Sequence, residues 1–310
     1  MMSNDPKKPK LFAEHFYKFF QCPHWIWYDI YGDAKHKKQI PPIIDMIYKG
    51  KTVGAGDKLR EHKKFEEIKP ELYRDIEEAF LATLELMRQG KNVYHGALMH
   101  EDWAGIPDLL EARPLRPIRQ GLRVVSQSNP QAQGEPAKSV FGDWHYVVYD
   151  VQPTLELKDE NKFQLVFYSL ILERLQGVRP KEAYVIDADG NERAFKVDEF
   201  VDQFHLTRNQ IEKILDGEKP APFLKSGCKR TPWYSLCLSE TQGCSDVSLI
   251  FKMSQSDQRR LYGIGIKTVD DMARADVDDL QSKLEDWPFD KLVRFNNQAK
   301  VLVSNQPLIL

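Results

Sequence analysis

The stretch from residue 144 to residue 197 constrains the fold more than any other part of the chain. It begins with WHYVVYDVQ (144–152), whose aromatic and β-branched residues predict a strand. The apolar segment FQLVFYSLILERLQG (163–177) then predicts a helix that ends at Gly177. EAYVIDADGNERAFKV (182–197) predicts a hairpin with its turn at Asp189–Gly190. A strand, a helix and a strand pair in succession favour a mixed α/β domain with a sheet flanked by helices.

The segments on either side extend this pattern. Residues 11–29 are rich in aromatic residues and predict a helix, and residues 57–90 predict one or two helices from the helical spacing of their apolar residues. NVYHGALMH (92–100) and GIPDLLEA (105–112) predict a second pair of strands, and residues 197–217 predict a further helix. Helices and strands thus alternate along most of the chain.

The last part of the chain reads differently. A loop-rich segment over residues 225–245 is followed by a purely helical pattern of two or three short helices. We therefore predict an α/β domain over residues 1–255 and a small all-helical module over residues 256–310. Within the module, LYGIGIKTV (261–269) resembles a helix-hairpin-helix element, in which a glycine turn presents N–H groups to a phosphate. A plain glycine turn between two packed helices is equally compatible with this motif.

Composition excludes several classes of protein. With 42% hydrophobic residues, the 310-residue chain can bury a core, so it is not a disordered protein. No apolar run reaches the ~18–20 residues of a membrane span, and the N-terminus has no secretory signal, which predicts a cytoplasmic protein. The net charge of −2 means that a nucleic-acid ligand would need a local basic channel. The absence of a Walker A sequence excludes an ATP motor within this chain.

Two aspartates stand where strand ends could bring them together. Asp108 follows the turn Gly105-Ile106-Pro107 and precedes an apolar strand, and Asp150 lies near the end of the strand 144–152. Two carboxylates at one sheet edge can bind Mg²⁺ or Mn²⁺, which activates water and stabilises charge on a scissile phosphate. The alternative is a turn residue and a solvated strand end, since aspartate is common at both positions.

A glutamine and a tyrosine lie one helical turn apart on the helix that follows. Gln164 and Tyr168 share a face because they are four residues apart, and they offer an amide and a phenol to phosphate oxygens. A half-buried tyrosine with a polar neighbour is the structural alternative.

The four cysteines form an unusual set. Cys228, Cys237 and Cys244 fall within 17 residues, whereas Cys22 lies about two hundred residues upstream. This spacing is not the paired C-x₂-C of a zinc ribbon, but four thiolates suit either Zn²⁺ or a [4Fe–4S] cluster. Disulfides are disfavoured in a chain without an export signal, and four unrelated buried thiols stay an alternative.

Taken in order, these motifs resemble a known family. Cys-Pro at Cys22, Gly-x-x-Asp at Asp108, an acid at Asp150, Gln-x-x-x-Tyr at Gln164 and three C-terminal cysteines are similar to the RecB-like nucleases of the PD-(D/E)XK superfamily. The iron–sulfur branch, with AddB-type and CRISPR-associated exonucleases, is the most similar, and the resemblance covers roughly residues 11–255. It implies a restriction-endonuclease-like PD-(D/E)XK core.

The resemblance also implies roles for individual residues. Asp108 and Asp150 would bind the catalytic metal, Gln164 and Tyr168 would contact DNA near it, and the cysteines would bind the cluster. The implied cluster ligands are Cys22, Cys228, Cys237 and Cys244. The family usually adds a His or Glu from an early helix, for which His62 is preferred over Glu66, and the carbonyl of Val151 completes the metal ligands.

One position departs from the family pattern. The signature acid-x-Lys reads Asp150-Val151-Gln152 in this chain, and a neutral glutamine cannot supply the charge of the lysine. Gln152 could orient the attacking water by hydrogen bonding alone, or Lys158 or Lys162 could reach in from the following helix. Alternatively, the domain has lost catalysis and kept nucleic-acid or cluster binding.

The resemblance therefore implies a metal-dependent deoxyribonuclease, acting as an exonuclease on single-stranded DNA ends. Its cofactors would be Mg²⁺ or Mn²⁺ and a [4Fe–4S] cluster, with Zn²⁺ as the alternative in the cysteine site. Its partners would be DNA and a helicase or another repair or defence protein. The rival hypotheses are a non-catalytic binding or scaffold domain of the same fold and a zinc-stabilised binding protein.

Overall fold

The computed structural model describes residues 9–40, 63–115, 139–151, 159–187 and 189–306. The chain divides into two compact units. The first unit contains Met1–Phe20 and Pro41–Asp216, and the second contains Gln21–Ile40 and Gly217–Leu310. The predicted boundary between residues 255 and 256 lies inside the second unit, and the division into domains stays a prediction.

The elements of the described residues are numbered in chain order. The strands are β1 (Leu11–Phe12), β2 (Glu66–Glu67), β3 (Val93–Tyr94), β4 (Leu98–His100), β5 (Trp103–Gly105), β6 (Leu109–Pro114), β7 (Trp144–Val151), β8 (Glu182–Ile186) and β9 (Glu192–Lys196). The α-helices are α1 (Glu14–Gln21), α2 (Pro23–Tyr31), α3 (Ile76–Arg88), α4 (Asp159–Gln176), α5 (Val201–Leu215), α6 (Tyr234–Gly243), α7 (Gln255–Gly263), α8 (Val269–Arg274), α9 (Val277–Lys283) and α10 (Phe289–Ser304).

The first unit is built on a mixed six-stranded sheet. Its strand order is β2-β3-β6-β7-β8-β9, and a smaller sheet has the order β1-β5-β4. Strands β6 and β7 are antiparallel, whereas β7 and β8 are parallel and are joined by α4. Parallel neighbours require such a crossover, and a helix is its usual form. The predicted mixed α/β class is confirmed, and the restriction-endonuclease-like core stays a prediction.

Helix α4 is anchored on the central strand β7. Gln176, at the end of α4, is buried; its side chain accepts a hydrogen bond from the Tyr146 N–H at 2.7 Å and donates one to the Tyr146 carbonyl at 3.1 Å. The helix buries Phe163 and Phe167 beneath it, and both rings contact Phe16 of α1. This packing sets the position of the face that carries Gln164 and Tyr168.

The aromatic N-terminal segment is not the single helix that its composition predicts. After the short strand β1, two helices meet at Cys22 and Pro23. Proline lacks the N–H and crowds the preceding turn, so it ends α1 and occupies the first turn of α2 with Cys22 as N-cap. Residues 92–100 are likewise divided, because β3 pairs with β6 whereas β4 pairs with β5 in the smaller sheet.

The second unit is helical in its described part. Its C-terminal helices enclose a core of apolar side chains that includes Leu261, Met272, Trp287, Leu292 and Phe295. The segment predicted as loop-rich contains helix α6, which carries Cys237, and the last helix α10 has 16 residues and is not short. Within the described residues, no helix has the length and apolar character needed to cross a membrane.

Candidate functional site

The two predicted metal-binding aspartates lie opposite each other on neighbouring strands. The antiparallel register pairs Leu109 of β6 with Tyr149 of β7, so the adjoining positions Asp108 and Asp150 face one another. Their side chains are in hydrogen-bonding contact. Like charges at opposing positions repel, so this contact requires a proton or a cation between the carboxylates. Carboxylate oxygens are also the ligands that a hard divalent cation such as Mg²⁺ or Mn²⁺ prefers.

Asp108 is held by three neighbours. Its Oδ2 accepts a hydrogen bond of 2.7 Å from the Val151 N–H, and its Oδ1 lies 3.6 Å from Nε2 of His95. Burial raises the pKa of the Asp108 carboxyl, but the interactions with His95, Asp150 and the Val151 N–H outweigh it, so the pKa is below its ordinary value. The side chain keeps 24% of its surface exposed, which leaves it accessible to a ligand.

His95 is a candidate site residue that the sequence reasoning missed. The register of β3 with β6 pairs Tyr94 with Leu109, which sets His95 opposite Asp108. Its backbone has a positive φ of 53°, and its N–H donates to the Asp108 carbonyl at 2.9 Å. Tyr73 donates its hydroxyl to the His95 carbonyl, which fixes the strained backbone from the other side. The predicted pairing of residues 92–100 with residues 105–112 contained the signal for His95. Combined with the strand 144–152, it allows residues 95, 108 and 150 to lie at neighbouring positions on three strands.

The Tyr168 ring explains why the first position of the Gly-x-x-Asp motif, residue 105, is a glycine. A Cβ at Gly105 would lie 2.6 Å from Cε1 of the Tyr168 ring, so no other residue fits without displacing that ring. The Tyr168 hydroxyl donates to the Ile106 carbonyl at 3.3 Å. Burial, followed by the negative charges of Asp150 and Asp108, raises the pKa of Tyr168 well above its ordinary value, so it stays a neutral phenol.

A small cavity lies beside this tyrosine. It measures about 300 Å³ and is lined by Phe12, Ala13, Glu14, Ile76, Gly105, Ile106 and Tyr168. Gln164 lies half-buried on the same helix face, where its amide donates to the Ala13 carbonyl at 3.5 Å. Glu14, the first residue of α1, forms an ion pair with Lys18 at 2.9 Å and contributes to the raised pKa of Tyr168. Glu14 is a second acidic candidate that the sequence reasoning missed.

Several predicted residues lie elsewhere. His62, Gln152 and Lys158 lie outside the described residues. Glu66 lies on strand β2 with its side chain exposed, and not on the predicted helix, because residues 66–67 pair with β3. The Lys162 ammonium pairs with Asp159 at 3.1 Å and lies 4.9 Å from the Phe200 ring. Val151 is buried within β7, and its role as a carbonyl ligand stays a prediction.

The cysteines belong to the second unit, where three of them converge. Cys22 forms side-chain hydrogen bonds with both Cys228 and Cys237. The hydrogen bond with Cys228 lowers the pKa of the Cys22 thiol, but that with Cys237, burial and the Cys237 charge raise it to about 12. The pKa of Cys228 is raised by its hydrogen bond with Cys22 and by burial. These contacts bring together thiols about two hundred residues apart in sequence.

A histidine completes this group. The ligand atoms of Cys22, His24 and Cys237 all lie within 4.8 Å of one another, and all three residues are buried. Burial and the charge of Lys219 lower the pKa of His24 to about 4, although the hydrogen bond with Pro220 and the charge of Glu240 act to raise it. The ring is therefore neutral at pH 7. Neutral imidazole and cysteine sulfur are metal ligands, so this cluster can hold a metal ion. The tripeptide Cys22-Pro23-His24 was the available signal in the sequence.

Cys244 differs from the other three cysteines. It is exposed and caps the C-terminal end of α6, and its thiol donates to the Thr241 carbonyl at 3.5 Å. Its membership of a four-cysteine site stays a prediction.

The glycine turn of the C-terminal helices has its N–H groups engaged. Helices α7 and α8 flank the turn as the motif predicts, and Gly265 has a φ of 89°. The N–H groups of Lys267 and Thr268 both donate to Oδ2 of Asp271, at 3.0 and 2.9 Å, and that of Gly265 donates to the Tyr262 carbonyl at 3.1 Å. A phosphate would therefore have to displace the Asp271 carboxylate, and this arrangement favours the plain structural turn.

Comparison of the chain with models of known protein families found no match, and comparison with the curated proteins found none either.

Proposed function

We propose that this protein is a metal-dependent nuclease that hydrolyses phosphodiester bonds of DNA, with single-stranded ends as its substrate. The observation that carries the proposal is the row formed by His95, Asp108 and Asp150 across three neighbouring strands. Two facing carboxylates that are accessible to solvent and braced by a histidine and a backbone N–H are suited to holding a divalent cation.

Each member of the row has a distinct task. Asp108 and Asp150 would hold Mg²⁺ or Mn²⁺, which when bound supplies an activated water and offsets charge on the phosphate. The Val151 N–H fixes one oxygen of Asp108 and thereby orients the other. His95 acts as a positioning residue for Asp108, because Mg²⁺ prefers oxygen ligands and the imidazole faces the carboxylate.

The nucleic acid would approach along the face of α4. Tyr168 remains a phenol and can donate a hydrogen bond, and Gln164 offers an amide one helical turn away. The cavity beside Tyr168, about 300 Å³ in volume, can admit part of a nucleotide. Gln152 would orient the water in place of the family lysine.

A non-catalytic nucleic-acid-binding or scaffold role is the second candidate. The position of Lys162 favours it, because its ammonium is engaged with Asp159 and the Phe200 ring. If Lys158, which lies outside the described residues, does not take the place of the family lysine, hydrolysis depends on Gln152, which is a weaker polarising group.

A structural metal centre at the converging thiols of the second unit forms the other part of the proposal. An iron–sulfur cluster and a single zinc ion both take thiolate ligands but differ in how far apart those ligands lie. The resemblance to RecB-like nucleases suggests that such a protein would act on DNA ends together with a helicase or another repair or defence protein.

A nuclease assay tests the proposal. End-labelled single and double strands are incubated with the full chain and Mg²⁺ or Mn²⁺, alongside Asp108→Asn and Asp150→Asn. Either substitution should lower the cleavage rate at least about 100-fold, as expected when a metal ligand worth several kcal/mol is lost. Asp198→Asn is the matched control, because this aspartate is 69% exposed and pairs with Arg179. Binding of DNA without cleavage by the unchanged protein would instead support the non-catalytic role.

A further inference from the structure

We propose that Cys22, His24, Cys228 and Cys237 bind a single zinc ion as a structural centre, and that Cys244 is not one of its ligands. The inference concerns the second unit and does not depend on nuclease activity. It replaces the four-cysteine cluster implied by the family resemblance with a site of three thiolates and one imidazole.

The spacing of the ligand atoms suits one ion. Zinc–sulfur bonds of about 2.3 Å in a tetrahedron separate two sulfurs by about 3.8 Å. The ligand atoms of three of the four residues, Cys22, His24 and Cys237, lie within 4.8 Å of one another. Cys228 is outside this group of three and joins the site through its hydrogen-bonding contact with Cys22. In a [4Fe–4S] cube each thiolate binds a different iron, so the ligand sulfurs are held farther apart than around one ion.

His24 is oriented as metal-binding histidines are. Its ring makes a hydrogen bond with the Pro220 carbonyl, and a ring nitrogen lies within 4.8 Å of the Cys22 and Cys237 sulfurs. A metal-binding histidine commonly donates one ring N–H to a carbonyl and binds the metal through the other nitrogen. The ring lies alongside Tyr28, with 6.0 Å between centroids. Beyond it, the Tyr28 hydroxyl donates to Glu240, which also accepts from Lys219 at 2.7 Å. These contacts hold an imidazole that is only 4% exposed.

The backbone also prepares the thiols for a cation. The Lys225 N–H points at Sγ of Cys228 at 3.5 Å, and the His24 N–H donates to Cys22. Cys22 is the N-cap of the nine-residue helix α2, whose dipole favours negative charge at that end. These N–H groups oppose the rise in thiol pKa that burial causes, and they would stabilise the thiolates that form when an ion binds.

Cys244 is too far along its helix to join the site. It follows Cys237 by seven positions on α6 and caps that helix, which corresponds to a rise of about 10 Å. Two ligands of one zinc ion lie less than half as far apart. Cys244 is also exposed, and its thiol donates to the Thr241 carbonyl.

Metal content and cobalt spectroscopy of the full chain test the inference. The purified protein should contain about one zinc per chain, and the Co²⁺-substituted protein should show the charge-transfer absorption of three thiolates and one nitrogen. Cys244→Ser should retain both properties. Cys237→Ser should weaken zinc binding beyond the roughly 10–100-fold typical of outer-shell changes, measured by competition with a chelator.

His24→Cys keeps the inference testable should Cys237→Ser fail to fold. Retention of one zinc with a cobalt spectrum shifted to four thiolates is expected, because the new thiol would replace the imidazole. The inference is overturned by about four irons per chain with broad visible absorption, by loss of the metal in Cys244→Ser, or by an unchanged cobalt spectrum in His24→Cys.

Discussion

His95 and Asp108 face each other across neighbouring strands, with 3.6 Å between the imidazole Nε2 and the carboxylate Oδ1. The histidine has a positive φ and is held by hydrogen bonds at both its N–H and its carbonyl. A strained backbone that is braced in this way commonly marks a functional position. The relationship extends the pair of carboxylates into a three-residue row.

Removal of this imidazole should lower the cleavage rate and the Mg²⁺ affinity of the proposed active site without abolishing either. We expect His95→Ala to lower the cleavage rate about 10–100-fold and to raise the Mg²⁺ concentration needed for half-maximal activity, since Asp108 would lose a positioning partner. Titration of activity with Mg²⁺ measures both effects. His100→Ala, which removes a half-buried histidine from β4, is the control. An unchanged Mg²⁺ requirement in His95→Ala would contradict the positioning role.

The contact between Gly105 and Tyr168 should be equally sensitive. Gly105→Ala places a Cβ against the Tyr168 ring, and overpacking of this kind costs about 1–3 kcal/mol. We expect a lower melting temperature and reduced cleavage, because the ring must move. Gly243→Ala in α6 is the control, since a Cβ there meets nothing within 4 Å.

A double-mutant cycle identifies the obstruction. In a Tyr168→Ala background, Gly105→Ala should be nearly neutral for stability, because the ring that a Cβ would meet is gone. Equal destabilisation in both backgrounds would show that another contact requires glycine.

The ion pair of Asp257 and Lys291 should stabilise the C-terminal helices in a pH-dependent way. Lys291 Nζ lies 2.5 Å from Oδ1 of Asp257, whose side chain is 10% exposed. Burial raises the pKa of Asp257, but hydrogen bonds from Lys291 and Ser254 outweigh it and lower the pKa. Because the folded state has the lower pKa, this stabilisation is complete above the ordinary aspartate pKa and is lost as the pH falls.

Lys291→Met tests this pair. We expect the free energy of unfolding at pH 7 to fall by about 1.5–3 kcal/mol, the range for a hydrogen bond to a charged group. The difference from the unchanged protein should shrink as the pH is lowered to about 3, measured by urea unfolding. Lys300→Met, at an exposed position of the same helix, should show neither effect.

The proposed active site could be predicted in outline because strand ends are readable from the sequence. The strand 144–152 and the pair 92–100 with 105–112 were sufficient to expect Asp108 and Asp150 on one sheet. His95 was missed because its place depends on the register between strands, and a shift of one residue reverses the face of every side chain. His62 and Gln152 lie outside the described residues, so the third metal ligand and the role of Gln152 in place of the family lysine stay predictions.

The cysteine site was harder to predict for a different reason. Helix α6, with the sequence YSLCLSETQG, is rich in residues of modest helix propensity, so the sequence favoured a loop and tertiary packing decided the outcome. Its helical geometry is what separates Cys244 from Cys237. Four cysteines can bind a metal without any other residue, so His24 was not predicted as a ligand, although it follows Cys22 by two positions.

Chelation should separate the two proposed metal sites. Asp108 is partly exposed, so EDTA should remove an Mg²⁺ bound there, stop cleavage and leave the melting temperature unchanged, and added Mg²⁺ should restore the activity. Cys22 and Cys228 are fully buried, so zinc at the thiols should survive that treatment. A mercurial that modifies the thiols should instead release zinc and lower the melting temperature. The melting temperature should fall because the site joins residues 21–40 to the segment after residue 217. Added Mg²⁺ should not restore it. Loss of activity and stability together on EDTA treatment, with both restored by zinc alone, would contradict the assignment of two separate sites.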